Sequence, residues 1–253
     1  MEIAGKQREG PGLTLRKSAL RAMRYVDVGI PDSTQMANHA NHSVHIGPLK
    51  LAGEWSLPAS PGGVVIFTHG SGSGRNSPRN RSVAHLLQRR RIATLLFDLL
   101  TPEESEQREN VFDIELLTQR VLQAIDWVQG VEALRGLPRG LFGASTGAAA
   151  ALFAAAMRPR DVAALVSRGG RPDLAGPVLG DVRAPTLLIV GGADTEVLRL
   201  NMAAHERLRC EKRLEIVPRA THLFAEAGAM ETVARLARDW FVTHFGIEPA
   251  AGG

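Results

Sequence analysis

The sequence predicts an α/β fold in which a mostly parallel sheet is covered by helices on both faces. Short, continuously apolar runs bounded by Gly or Pro recur along the chain, as expected of strands that are buried on both sides. Amphipathic stretches alternate with these runs, which is the order of βαβ units. Between one apolar run and an Ala-rich stretch, residues 143–147 fit the pattern Gly-x-Ser-x-Gly of a sharp strand-to-helix turn.

The predicted elements follow one another regularly from residue 43. Residues 43–58 predict an antiparallel opening hairpin that turns at Gly47 and Pro48. Later strands are predicted at 63–69, 92–98, 139–143, 162–167, 185–192 and 213–218. Ser77 followed by Pro78 has the residue types of an N-cap and a first helical position. Further helices are predicted at 111–129, 146–157, about 196–209 and 229–245, of which the first and last carry clear apolar faces.

Length and composition predict one folded domain with two short flanking segments. Of the 253 residues, 44% are hydrophobic and 22% charged, and we expect the α/β domain to span 43–246. Residues 1–42 are expected to be a loosely packed N-terminal extension, with a short basic amphipathic helix over 13–26 as the alternative, and 247–253 a flexible tail. No apolar run approaches the ~18 residues of a membrane span, and no secretory signal is recognised, so we expect a cytoplasmic protein.

The charge pattern and the cysteine count exclude several classes of function. The net charge is +4, but the basic residues are scattered among 26 acidic ones, which argues against a nucleic-acid partner. A single cysteine, Cys210, excludes an internal disulfide and a multi-cysteine metal site. His39, His42 and His45 are spaced by three, but the turn residues around them favour a surface loop over a metal site. We therefore expect no metal and no cofactor.

Ser145 at the centre of the Gly-x-Ser-x-Gly pattern is the candidate nucleophile, and it needs a base and an orienting acid. His222 lies in a loop between the last predicted strand and the last helix, so it can return to the carboxyl edge of the sheet. Asp194 follows a buried strand and two glycines, and is the preferred acid over Glu196 and Asp98. The resulting order of Ser, Asp and His is the one associated with α/β-hydrolases.

Two backbone amides are candidates for the oxyanion hole, where negative charge develops during acyl transfer. One belongs to Thr146, which follows the candidate nucleophile. The other belongs to Ser71 in the glycine-rich loop 69–80, whose backbone can approach a substrate closely. His69, directly before Gly70, is expected to brace this loop. The loop matches neither a P-loop nor a dinucleotide-binding fingerprint.

Taken together, these motifs resemble the α/β-hydrolase superfamily and, more narrowly, its dienelactone-hydrolase-like branch. The resemblance covers about residues 43–246 and rests on four segments: 69–74, 143–147, 191–194 and 221–224. It implies cofactor-free hydrolysis of an ester or lactone through an acyl-enzyme. Dienelactone hydrolases proper carry a cysteine nucleophile, whereas this sequence has Ser145, so we expect a serine esterase rather than an enzyme acting on dienelactone.

The sequence says less about the substrate. About 17 residues separate the strands ending at 167 and beginning at 185, which leaves no room for a large cap domain and favours small or short-chain acyl groups. Arg75, Arg168 and Arg171 either bind a substrate carboxylate or form ion pairs with Asp173 or Glu103. The alternatives to an esterase are an acyltransferase or perhydrolase with the same residues, and a non-catalytic binding module. A homodimer is left open.

Overall fold

The computed structural model describes residues 41–248 of the chain. The expected extension and tail lie outside this range, apart from two residues at each end. The strands are β1 (Asn41–Ile46), β2 (Leu51–Ser56), β3 (Gly63–Thr68), β4 (Ile92–Phe97), β5 (Arg139–Ala144), β6 (Ala164–Arg168), β7 (Thr186–Gly191) and β8 (Lys212–Val217). They form one sheet in the order β1-β2-β4-β3-β5-β6-β7-β8, in which β2 is antiparallel to both its neighbours and all other pairs are parallel. The predicted mostly parallel sheet with an antiparallel opening hairpin is confirmed.

Helices cover both faces of this sheet, as predicted. They are α1 (Pro78–Gln88), α2 (Pro102–Ser105), α3 (Arg108–Phe112), α4 (Ile114–Gly130), α5 (Thr146–Met157), α6 (Thr195–Arg207) and α7 (Ala229–His244). Buried side chains of α4, α5 and α6 belong to the hydrophobic core on one face, and those of α1 and α7 to the core on the other. Strands β3, β4 and β7 are buried along their whole length because both of their faces are covered.

The local signals that predicted the helices are present in the structure. The Ser77 side chain accepts a hydrogen bond from the Asn80 amide at the start of α1, with Pro78 at the first helical position. Helix α4 begins at residue 114, three residues later than predicted, because the Asp113 side chain caps it. The two short helices α2 and α3 were not predicted. They are polar and carry too few apolar residues to show a helical period.

The ends of the domain differ slightly from the expected boundaries. Strand β1 includes Asn41 and His42, so the expected start at residue 43 falls inside it. The surface loop predicted for His42 and His45 is wrong, because both residues belong to β1, and His39 lies outside the described residues. Ile247, placed in the tail by the sequence, is buried and packs beside Gly62.

The segment between β6 and β7 contains a 3-10 segment, Pro172–Asp181, and no separate domain. The predicted absence of a large cap at this position is therefore confirmed. A second long segment at the carboxyl edge of the sheet lies between β4 and α4, where residues 98–113 carry α2 and α3. No helix within residues 41–248 is both long and apolar enough to cross a bilayer.

Candidate active site

Ser145 lies at a sharp turn from β5 into α5 and has an unusual backbone conformation. Its φ of 49° and ψ of −123° are strained for a residue with a side chain. Both flanking glycines are needed for this turn. A Cβ on Gly143 would lie 2.4 Å from Cα of Ala148, and one on Gly147 would lie 2.3 Å from the carbonyl oxygen of Thr68. The strand-to-helix turn predicted from the Gly-x-Ser-x-Gly pattern is present in the structure.

His222 and Asp194 are joined by a hydrogen bond between loops that follow β8 and β7. The distance from Nδ1 of His222 to Oδ2 of Asp194 is 2.7 Å. Because a carboxylate only accepts hydrogen bonds, the proton of the neutral ring lies on Nδ1, and the lone pair of Nε2 is free to act as a base. Asp194 is 15% exposed and His222 is 40% exposed, so the pair faces solvent through the histidine.

The end of β6 connects this pair to Ser145. The Ser145 amide donates to the carbonyl oxygen of Arg168 at 3.4 Å, and Ser145 in turn accepts from the Arg171 amide at 3.1 Å. Gly169, in the same segment, lies directly beside the histidine: a Cβ on it would be 3.6 Å from Cε1 of His222. The candidate nucleophile, base and acid therefore occupy neighbouring loops at the carboxyl edge of the sheet.

Asp98 and Glu196, the two alternatives to Asp194 as the orienting acid, lie in different environments. Asp98, at the end of β4, accepts a hydrogen bond from the Arg75 amide at 2.7 Å and forms an ion pair with the Arg75 guanidinium. It therefore organises the glycine-rich loop. Glu196 is exposed in the first turn of α6, where a carboxylate is favoured by the helix dipole.

His69 braces the glycine-rich loop through both of its ring nitrogens. Nε2 accepts a hydrogen bond from the Leu99 amide at 2.9 Å, which leaves the proton on Nδ1 to be donated to the Gly70 carbonyl oxygen at 3.0 Å. Burial lowers the pKa of His69 below its ordinary value, in spite of the opposing effects of the Gly70 carbonyl and the Asp98 charge. The ring therefore stays neutral and keeps both hydrogen bonds at neutral pH.

A small cleft opens between the loop that His69 braces and the start of α5. Its volume is about 180 Å³, and Ser71 and Thr146, the two predicted oxyanion residues, both line it. The amide of Thr146 heads α5 and has no acceptor within the helix. The segment between β4 and α4 and the first turn of α4 contribute the apolar Leu100, Val111 and Leu117, together with Ser105. The cleft thus combines backbone donors with an apolar wall supplied by the segment between β4 and α4.

The three arginines predicted to bind substrate have different partners. Arg171 forms a two-point ion pair with Asp173, at 2.8 and 2.7 Å, which was one of the two readings left open. Arg75 is paired with Asp98, a partner that the sequence did not suggest for it. Arg168 is 6% exposed, and its guanidinium lies 5.9 Å from the centre of the Phe224 ring.

Sequence reasoning missed the wall of the cleft and the surroundings of Arg168. Val111 and Leu117 were assigned to one predicted helix, although an apolar residue at the carboxyl edge of a sheet could have been considered as a pocket wall. Phe224, two residues after His222, carried no signal. Among residues 41–248, no three His, Cys, Asp or Glu side chains form a cluster that could hold a metal ion.

Comparisons with known proteins show that the chain is similar to hydrolases. The crystal structure of a dienelactone hydrolase from Anabaena variabilis is 52% identical, with a TM-score of 0.78 over 81% of this chain and 97% of that one. The esterase domain of a Rhodothermus marinus protein, at 17% identity, shares the fold, with a TM-score of 0.65 over 82% of this chain and 99% of its own. No family model matches the chain.

Curated relatives add a second name. Proteins of two strains of Mycobacterium tuberculosis are 56% identical over 198 residues and carry the provisional name phosphoribosyl transferase. The match includes 78% of this chain, which spans only 45% of the length of these relatives. Their name therefore describes proteins about twice as long as the matched segment.

Proposed function

The chain belongs to the dienelactone-hydrolase-like branch of the α/β-hydrolase superfamily, and from that premise we propose that it is a serine hydrolase. Its substrates are small or short-chain carboxylic esters or lactones, cleaved through an acyl-enzyme. The observation that carries this proposal is the 2.7 Å hydrogen bond between His222 and Asp194, on loops beside the strained turn that presents Ser145. It orients a neutral imidazole as the base that a serine nucleophile needs.

In the proposed reaction, Nε2 of His222 takes the proton of the Ser145 hydroxyl as the oxygen attacks the substrate carbonyl. The amides of Ser71 and Thr146 donate to the oxyanion that forms. His222 then gives its proton to the leaving alcohol and activates a water molecule, which releases the acid and restores Ser145. Asp194 holds the productive tautomer throughout and stabilises the imidazolium.

The cleft supports the choice of small acyl groups. The cleft of about 180 Å³ is smaller than the roughly 300–1,000 Å³ that ligand pockets usually span, which favours a short acyl group. Its apolar wall suits an alkyl chain, while the backbone amides on the other side suit the carbonyl oxygen. A short acyl chain that enters here brings its carbonyl to the two candidate donors.

The name of the longer relatives does not change this proposal. Phosphoribosyl transferase is the provisional name of longer proteins, and this chain spans only 45% of their length. The candidate serine, histidine and aspartate of this chain suit acyl transfer, and we propose only that chemistry for it.

The test combines fluorophosphonate labelling with the turnover of p-nitrophenyl esters from acetate to octanoate. We expect the wild type to be labelled and to prefer the shorter esters. Ser145→Ala is expected to abolish labelling and lower kcat by on the order of 10⁴–10⁶. Ser82→Ala, which removes an exposed hydroxyl from α1, is the matched control and should behave as the wild type. A wild type that is neither labelled nor active would refute the proposal.

A further inference from the structure

Residues 218–228, which join β8 to α7, hold His222 in a constrained loop. Arg219 and Phe224 have φ values of 61° and 54°, a conformation that residues with a side chain rarely adopt. Phe224 is 1% exposed and belongs to the core on the α7 face of the sheet. Its amide donates to the carbonyl oxygen of Thr221 at 3.1 Å, so His222 lies inside a four-residue turn. Such a backbone persists only where surrounding contacts hold it.

The carboxylate of Glu226 holds the first residue of this turn. Its Oε1 accepts a hydrogen bond from the Thr221 hydroxyl at 2.7 Å, and its Oε2 accepts one from the Thr221 amide at 3.1 Å. Both oxygens are therefore bound to the residue that directly precedes His222. The hydrogen bond from the Thr221 hydroxyl is the largest of the effects that lower the pKa of Glu226 below its ordinary value. The carboxylate is thus ionised at neutral pH, which strengthens both hydrogen bonds.

The start of the same loop is held by the loop that carries Asp194. The Ala193 amide donates to the carbonyl oxygen of Ala220 at 2.9 Å. Gly191 approaches this oxygen so closely that a Cβ on the glycine would lie 2.3 Å from it. The backbone therefore joins the two loops one residue before Thr221, and the carboxylate of Glu226 holds the chain from Thr221 onward.

We propose that Glu226 is a positioning residue for His222 and acts through Thr221. It closes the loop, so that the imidazole stays aligned with the carboxylate of Asp194 and with the candidate nucleophile. This rests on the proposed function, in which His222 is the base. The His222 side chain is 40% exposed, so packing alone does not fix its ring. A displacement of about 1 Å in a catalytic group can lower a rate by about 10²-fold, which is why the closure of this loop matters.

The first test measures kcat and KM separately with p-nitrophenyl butyrate. Glu226→Ala removes both acceptors, so we expect kcat to fall by on the order of 10–100-fold. KM should stay near the wild-type value, because other segments of the chain line the cleft. Glu226→Gln should recover most of the loss, since its amide group can accept from the Thr221 amide and donate to the Thr221 hydroxyl. Glu231→Ala, which removes an exposed carboxylate from the first turn of α7, is the matched control and should keep the wild-type kcat.

The second test follows the His222 proton by nuclear magnetic resonance and needs no turnover. A proton in a short hydrogen bond between an imidazole and a carboxylate resonates far downfield, and Asp194→Ala should remove this signal and so assign it. We expect the signal in the wild type and in Glu226→Gln, and its broadening or loss in Glu226→Ala. Thr221→Val removes only the hydroxyl donor and should have a smaller effect on the signal and on kcat. This variant serves as the test if circular dichroism shows that Glu226→Ala is unfolded.

The two tests together separate this proposal from the proposed function. If the wild type hydrolyses no ester but its proton signal depends on Glu226, the hydrolase proposal fails and the positioning role stands. If esters are hydrolysed but Glu226→Ala keeps the wild-type kcat and signal, the positioning role fails and the hydrolase stands. A wild type without the signal would also overturn the positioning role. So would a raised KM with unchanged kcat, which indicates a substrate contact, or a Glu226→Gln variant as slow as Glu226→Ala, which indicates an effect of charge alone.

Discussion

Replacing Gly70 by alanine tests the oxyanion hole by a contact that the structure measures directly. A Cβ at this position would lie 2.7 Å from Cβ of Ser145 and 3.0 Å from the carbonyl oxygen of Ala144. Ordinary van der Waals contact begins at about 3.4 Å, so either the loop or the serine must move by about 0.7 Å. Because the next residue is Ser71, the displacement falls on the amide proposed to donate to the oxyanion.

A hydrogen bond to the oxyanion requires a donor within about 2.7–3.1 Å, and a shift of this size removes it. The loss of one such donor costs about 2.7–4 kcal/mol in the transition state, or about 10²–10³ in kcat. We therefore expect Gly70→Ala to lower kcat by that factor with butyrate esters and to slow fluorophosphonate labelling. Thermal unfolding followed by circular dichroism would confirm that the variant is folded.

Gly72→Ala is the matched control in the same loop. Gly72 has a φ of +65°, and no atom lies within 4 Å of a Cβ built on it. The alanine therefore costs about 1 kcal/mol of backbone strain but forces no displacement toward Ser145. A folded Gly70→Ala enzyme with wild-type kcat would refute the reasoning, and so would a loss in Gly72→Ala as large as that in Gly70→Ala.

Three further predictions concern the acid, the bracing histidine and the cleft. In esterase assays, Asp194→Asn should lower kcat by on the order of 10⁴, since an amide can donate to Nδ1 of His222 and select the wrong tautomer. A larger loss of kcat in Glu196→Gln would instead assign the role of orienting acid to Glu196. His69 is harder to protonate folded than unfolded, so the free energy of unfolding should fall as pH drops below about 6.5, by up to about 1.4 kcal/mol per pH unit. Urea unfolding between pH 5 and 7.5 should show that the free energy of unfolding depends less on pH in His69→Gln than in the wild type. The same pH dependence in both proteins would exclude His69 as its cause. Val111→Ala should shift the preferred ester to a longer acyl chain, measured over acetate to octanoate with the exposed Met157→Ala as control.

The parallel sheet and the helices around it could be predicted because they are encoded locally. Strands such as β3 and β7 are continuously apolar, and helices such as α4 and α7 have a clear apolar face. The strand-to-helix turn at Ser145 was recognisable for the same reason, since both of its glycines lie two residues from the serine in sequence. Asp194 and His222 could be placed at strand ends, and the parallel topology then brought those ends together.

The partners of charged side chains could not be predicted, because they depend on distances between loops far apart in sequence. Arg75 pairs with Asp98 across 23 residues, and Arg168 meets Asn80 across 88. Nothing in the sequence distinguished Arg75, which has a carboxylate partner, from Arg168, which has none among residues 41–248. The helices α2 and α3 escaped prediction because they are held by caps, such as the Thr101–Glu104 capping box, rather than by an apolar face.

The double hydrogen bonding of His69 has a consequence for how the site can change. One nitrogen holds the Gly70 carbonyl and the other holds the Leu99 amide, so the same ring ties together the two walls that face each other across the cleft. The width of the cleft is then set by an imidazole that itself lines the cleft. Substitutions along the apolar wall can therefore deepen the cleft without changing its width. The preferred acyl-chain length can change in this way while the candidate oxyanion donors stay in place.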